Sequence, residues 1–380
     1  MDRRQLLLRG AALAVAAPLL PAPTAHAAHL YRLSPRLPSR PEITAVLRRV
    51  ADHWISTHTD PGDNGWANAT FYSGLMALHR HTREVRYLNY ARAWAEKHSY
   101  GIRGGTGTRH ADNHTAIQAY LDLYETEPEP AKLTASEATL RHMLTDQPDK
   151  ADDWWWDDAL HMAMPPFARF GELRQDPAFA DKLYALYRHT KRAQGGPGLY
   201  SPGLGLWYRD DRFLPGGILS PGGKPVLWSR GNGWVAAGHV KTLKALGGGG
   251  RHVPEYRETL TALVTALRPV QRSDGFWNVN LADAGHLPGP ETSGTSFFVY
   301  GTAYAVAAGL VDRAAFLPVA ARAWNGLVAT AVHPDGFLGY VQKVGDRPES
   351  SQPVTYESTA DFGVGGFLLA GTELARLAAG

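Results

Sequence analysis

The sequence predicts a mainly helical chain whose helices close into a double-layered barrel. Two observations carry this expectation. Apolar residues recur at helical spacing along most of the 380 residues, whereas alternating β-branched runs are scarce. In addition, six segments open alike, with small and polar residues just ahead of a helix rich in Ala, Gly and aromatics. They are Gly65-Trp66, Ala111-Asp112-Asn113, Asp157-Asp158-Ala159, Gly231-Asn232-Gly233, Ser293-Gly294-Thr295 and Asp361-Phe362-Gly363. A more charged, amphipathic helix usually follows. The small-residue helix suits close packing in an inner ring, and the charged one suits an outer ring.

Helical periodicity predicts elements over Phe71–His81, Arg86–His98, Thr115–Glu125, Ala178–Ala193, Trp234–Leu246 and Ala314–Ala329. Within Glu255–Val270, Leu260, Leu263, Val264 and Leu267 share one face. The segment Glu42–Thr57 supplies the outer helix that the sixth pair lacks. Asp274-Gly275 and Asp335-Gly336 read as turns closing two hairpins, and Gly247–Gly250 as one surface loop. No linker divides residues 38–380, which are therefore expected to form one domain. Residues 28–37, running into the Pro-rich stretch Pro35 to Pro41, are expected to be a linker.

Composition removes several functional classes. Apolar residues make up 44% and charged residues 20%, a globular balance. The 39 Lys+Arg against 36 Asp+Glu leave only +3, without a basic stripe in the body of the chain, so no nucleic-acid partner is expected. The chain has no cysteine, which excludes disulfides, cysteine nucleophiles and thiolate metal sites. Its 11 Trp, 16 Tyr and 12 Phe, alongside 40 Gly, suit carbohydrate binding, where flat aromatic faces meet sugar rings.

Three clusters could carry chemistry. In Asp152-Asp153-Trp154-Trp155-Trp156-Asp157-Asp158-Ala159-Leu160-His161-Met162, carboxyls at a helix start adjoin three tryptophans. Burial there disfavours the charged form, so an acid can stay protonated near neutral pH. The same residues also fit a helix cap. Asp157 and Asp158 are adjacent, so they point to different helix faces and only one is expected to enter the cavity. Asp112-Asn113-His114 opens another inner helix at the equivalent place, again as a carboxyl or a cap. Two carboxyls at one cleft suit glycosidic chemistry. The third cluster, Trp228-Ser229-Arg230-Gly231-Asn232-Gly233-Trp234, offers a guanidinium for a carboxylate, glycines for close approach, and two indoles. It reads equally as a glycine-rich turn with structural aromatics. His-Glu-x-x-His and Gly-x-Ser-x-Gly patterns are absent, so neither metal nor serine chemistry is expected.

These strings resemble the unsaturated glycuronyl hydrolases, specifically glycoside hydrolase family 105, which is related to family 88. The matching pieces are Ala111-Asp112-Asn113, Trp156 to Met162, Trp228 to Trp234, and Glu291-Thr292-Ser293-Gly294-Thr295, in order over most of the chain. The resemblance implies a six-hairpin (α/α)6 barrel that works without cofactor or metal. It implies removal of a Δ4,5-unsaturated uronic acid from lyase-generated oligosaccharides of rhamnogalacturonan or a related acidic polysaccharide. Asp158 would be the general acid/base and Asp112 the assisting carboxylate. Trp156, Met162, Arg209, Trp228, Arg230 and Trp234 would contact substrate. The chain departs from the better-known branch after Trp207-Tyr208, where Arg209-Asp210-Asp211 stands in place of a histidine. The rival readings are a sugar epimerase using His161 and His239, and a secreted glycan-binding protein without catalysis.

The N-terminus carries Arg3-Arg4, a short alanine-rich apolar run, and Ala25-His26-Ala27. The run is too short to anchor in a bilayer, so residues 1–27 read as a removed export signal, and no membrane association is expected afterwards. The paired arginines resemble a twin-arginine signal. N-terminal sequencing of the exported protein is expected to begin at Ala28 or within a few residues of it, and full-length protein confined to the cytoplasm would contradict this.

Overall fold

The computed structural model describes residues 33–378. Helix α1 (Arg40–Thr57) starts from a capping box, in which Ser39 accepts from the Glu42 N–H and Glu42 accepts from the Ser39 N–H. Eleven further helices follow among the described residues: α2 (Trp66–Thr82), α3 (Val85–Lys97), α4 (Ala111–Thr126), α5 (Thr134–Thr145) and α6 (Ala159–Arg174). Then come α7 (Pro177–Arg192), α8 (Ser229–Leu246), α9 (Val253–Leu267), α10 (Thr292–Ala307), α11 (Arg313–Thr330) and α12 (Asp361–Ala375). Between α7 and α8, β1 (Tyr200–Ser201) pairs antiparallel with β2 (Leu206–Trp207).

The even-numbered helices form a closed inner ring, each packed on the next and α12 packed back on α2. Odd-numbered helices lie outside. Of these, α3 covers α2, α7 covers α6, α9 covers α8, α11 covers α10, and α1 covers α12. The sequence-predicted six-hairpin barrel is thus the observed fold, including the role of the first helix as the last outer partner. Passage from an inner helix to its outer partner takes few residues, as at Arg83-Glu84 and Gln175-Asp176. Passage from an outer helix to the next inner one takes many, as between α7 and α8 or α11 and α12. All six inner N-termini therefore open at the end covered by the long loops.

Ring closure depends on backbones that touch. A Cβ on Gly74 of α2 would lie 2.3 Å from the Gly365 carbonyl oxygen of α12, and one on Gly365 would lie 2.4 Å from that of Thr70. Gly238 of α8 meets the Leu160 carbonyl of α6 in the same way, at 2.6 Å.

Several boundaries differ from the sequence reading. Helices α2 and α8 each begin five residues earlier than predicted, so Ser229–Gly233 is a helical turn and not a loop. Low propensity argued against helix there. Tertiary packing prevails, because Gly231 and Gly233 are filled by atoms from neighbouring segments. The Asp274-Gly275 and Asp335-Gly336 turns, with Gly275 at φ 86° and Gly336 at φ 97°, sit on long inter-hairpin connections and not within hairpins. The expected linker is tied down at its described end, where the Asn325 amide donates to the carbonyls of Ser34 (2.7 Å) and Arg36 (3.0 Å). The proposed signal lies outside the described residues.

Gly74→Ala or Gly365→Ala is expected to cost about 1–3 kcal/mol of stability by overpacking. Gly249→Ala, in the surface loop after α8, is expected to change it by less than about 0.5 kcal/mol. Denaturant unfolding of the three variants checks both values.

Candidate active site

Five of the six inner helices, α2, α4, α6, α8 and α12, begin without a side-chain cap. Their first N–H groups and the positive ends of their dipoles are directed at the mouth. Only α10 is capped. Buried Glu291 accepts there from the N–H groups of Ser293 (2.8 Å) and Gly294 (2.7 Å), and also from that of Gln342 (3.2 Å).

Asp112 and Asp158 sit at the starts of neighbouring inner helices and interact electrostatically, so the two expected carboxyls share the mouth. Neither acts as a cap. Burial, and then the charge of Asp158, push the Asp112 carboxyl up to about 7. Half-exposed His110 lies 3.8 Å from Asp112 and packs on Trp156. Arg209 donates from Nε to Asp158 at 3.3 Å and lies over the exposed Trp155 ring. Arg209 is itself held by Asp210 at 2.7 Å. Asp210 also accepts from Arg212 Nε (2.9 Å) and Nη2 (2.8 Å), and Arg212 reaches Asp346 at 2.8 Å. A chain of alternating charges therefore runs from Asp158 to the loop before α12.

Each residue of the Trp228–Trp234 string has a packing partner. The Trp228 indole donates to Gln342 at 2.9 Å. Buried Arg230 donates to the carbonyls of Gln342 (2.6 Å), Lys343 (3.0 Å) and Gly345 (3.4 Å), and lies between the rings of Trp228 and Phe362. Burial draws its guanidinium down to about 10. Gly231 makes room for Asp157, and Gly233 for Phe297. Asn232 brackets Trp207, accepting from its N–H (2.8 Å) and donating to its carbonyl (2.9 Å).

Several of the residues expected to contact sugar are enclosed by protein. Trp228 is 2% exposed, Trp234 1% and Met162 1%. Trp234 instead centres an aromatic cluster with Trp66, His161, Phe297 and Phe362. Trp156 is covered by His110 and Trp155. Arg230 holds a loop wall with most of its donors. The open indole is Trp155, at 42% exposed, which the sequence reading did not single out. Asp210 was also missed, and its place beside Arg209 in the chain was the available signal. Asp157 is buried against α8.

His161 and His239 are fully buried. His239 bonds the Val235 carbonyl at 2.7 Å, and burial holds it down to about 4, while burial also lowers His161. Neither is placed to act as acid or base at the mouth. A cavity of about 720 Å³ lies at the opposite end of the ring. Its charges are largely paired, with Asp122 between Arg80 and Arg169, and Lys244 on Glu373. That cavity balances helix C-termini and is remote from the paired carboxyls. Among the described residues no cluster of three or more His, Asp or Glu is arranged for a metal.

A raised Asp112 means that the folded chain keeps a proton that the unfolded chain releases. Stability therefore falls as pH climbs from about 4, the unfolded range, through about 7. Asp112→Asn is expected to melt higher than the parent above about pH 7 and alike near about pH 4. Melting curves across that range check the sign.

The chain matches the family model described as Glycosyl Hydrolase Family 88 over residues 42–378. It is 29% identical over 332 residues to the unsaturated 3S-rhamnoglycuronyl hydrolase of Formosa agariphila, covering 82% of this chain and 84% of that protein. A glycosyl hydrolase family 88 structure from Bacteroides vulgatus is 30% identical, with a TM-score of 0.83 over 89% of this chain and 99% of that one. A solved structure described as a polysaccharide lyase is 32% identical, also at 0.83, over 89% and 98%. An (α/α)6 barrel with two carboxyls at its open mouth, matched along nearly its whole length, belongs to glycosyl hydrolase family 88.

Proposed function

We propose that this chain releases a Δ4,5-unsaturated uronic acid from the non-reducing end of lyase-generated oligosaccharides of an acidic, rhamnose-containing polysaccharide. The observation that carries the reading is the pair Asp112 and Asp158 at adjacent uncapped helix starts, with Arg209 alongside. The uncapped helix starts and Arg209 offer partners to the uronate carboxylate. Asp158 protonates C4 of the enol ether, and water adds at C5. The proton lost by that water returns to a carboxylate, with Asp112 assisting. The hemiketal then rearranges and expels the remaining sugar chain. This is hydration of a double bond by general acid/base catalysis, without a covalent enzyme intermediate. The relatives named for rhamnoglycuronyl substrates support a uronyl–rhamnose linkage, and the likeness to family 105 at Trp156–Met162 and Trp228–Trp234 supports a place in that branch.

We also propose export, on the strength of Arg3-Arg4 and Ala25-His26-Ala27. An epimerase reading loses its acid and base to the burial of His161 and His239. A binding-only reading gives no reason to hold two carboxyls together at the mouth.

Ultraviolet absorbance of the double bond tests the reaction directly. A hydrolase consumes it, whereas a lyase acting on intact polymer creates it. Purified protein should lower the absorbance of unsaturated oligosaccharides and leave intact polymer unchanged. Asp158→Asn is expected to reduce kcat by about 10²–10⁴-fold while oligosaccharide binding survives. Full activity in that variant would remove Asp158 from the mechanism.

A further inference from the structure

Asp157 is a carboxyl in the mouth region that the chemistry above leaves unused. It is 1% exposed, and among the described residues no donor reaches either oxygen, while the Asp158 carboxyl lies within hydrogen-bonding reach. The side chain presses on α8 at Gly231, where a Cβ would sit 2.6 Å from Oδ2 and 2.9 Å from Oδ1. Its backbone N–H donates to the Arg209 carbonyl at 2.8 Å, tying it to the segment that pairs with Asp158. The charged groups acting on it are Asp158, Arg209 and Asp210. From α8 it meets uncharged Gly231, and the adjacent Arg230 is committed to loop carbonyls. A carboxyl so enclosed, with no donor to satisfy a charge, is tolerated as the neutral acid. Burial, and then Asp158, accordingly raise it well above the ordinary carboxyl range.

Asp158 has the opposite surroundings. It accepts from Arg209 Nε at 3.3 Å, so a guanidinium faces it where Asp157 meets none. We propose that Asp157 is a positioning residue for the proton, the two adjacent carboxyls holding one proton between them that rests on Asp157 and passes to Asp158 for delivery to substrate. The proposal rests on the hydration reading above. The proton moves from Asp157 to Asp158 and then to C4, leaving both carboxyls ionised opposite the cation at C5. Water bonds to C5, and its released proton returns to the pair through Asp158. One water is consumed, and the pair ends as it began.

The test is the pH profile of kcat on unsaturated oligosaccharide for the parent, Asp157→Asn and Asp157→Ser. Melting curves identify the folded variants, and the serine variant serves if asparagine does not fold. Each is expected to lose about 10²-fold in kcat at the parent's optimum, with KM little changed. Log kcat should then climb steadily as pH is lowered past that optimum, since only solvent is left to protonate Asp158. Folded variants whose profile superimposes on the parent's overturn the proposal, whatever the size of the fall in kcat. A parent that leaves the double bond intact overturns the proposed function instead.

Discussion

Direct backbone contact between inner helices is the constraint on which the rest of this structure depends. Six helices enclose a narrow axis only if their ridges are nearly bare at the crossings, and Gly74, Gly238 and Gly365 provide this. Closure at that radius brings every inner N-terminus to one rim. The rim then needs no single strong ligand to attract an anion, because several uncapped helix starts face the same space. The long inter-hairpin connections have no place in the packed wall and cover the same end, so loops surround the reacting groups.

The charges follow from this geometry. At the rim, carboxyls are desolvated between helices and pushed toward their neutral forms, as at Asp112. Arg209, which donates to Asp158, is held by Asp210 and through it by Arg212 and Asp346. This fixes the guanidinium beside Asp158. At the opposite end, carbonyl ends of the inner helices converge, and Arg80, Arg169 and Lys244 gather there with Asp122 and Glu373. The two ends of one ring thus carry different electrostatic tasks set by helix direction alone.

The ring was legible in the sequence because its signal repeats. Six small, polar helix starts each followed by a small-residue helix leave few other architectures, and all six fall within a few residues of an observed inner helix. Asp112 and Asp158 were legible for the same reason, being equivalent positions of successive repeats. What the sequence hid was direction. Arg230 and Trp228 read as ligand groups, yet the loop at Gln342–Gly345, over a hundred residues away, takes up their donors. Which of Asp157 and Asp158 enters the cavity was not legible, because Asp157 precedes the helix and its backbone follows Arg209. Trp155 was overlooked because, in a run of three tryptophans, spacing does not say which ring stays outside.

The closed ring also has a topological consequence. Helix α1 completes the last hairpin by packing on α12, and Arg40 and Arg376 line the same cavity at the end away from the reacting carboxyls. The first and last helices therefore meet as two neighbours in a circle. Architecturally the barrel has no beginning. Circular permutants with new ends at the exposed Gly247–Gly250 loop retain every inner contact, and the order in which hairpins leave the ribosome becomes separable from the order in which they stand around the axis.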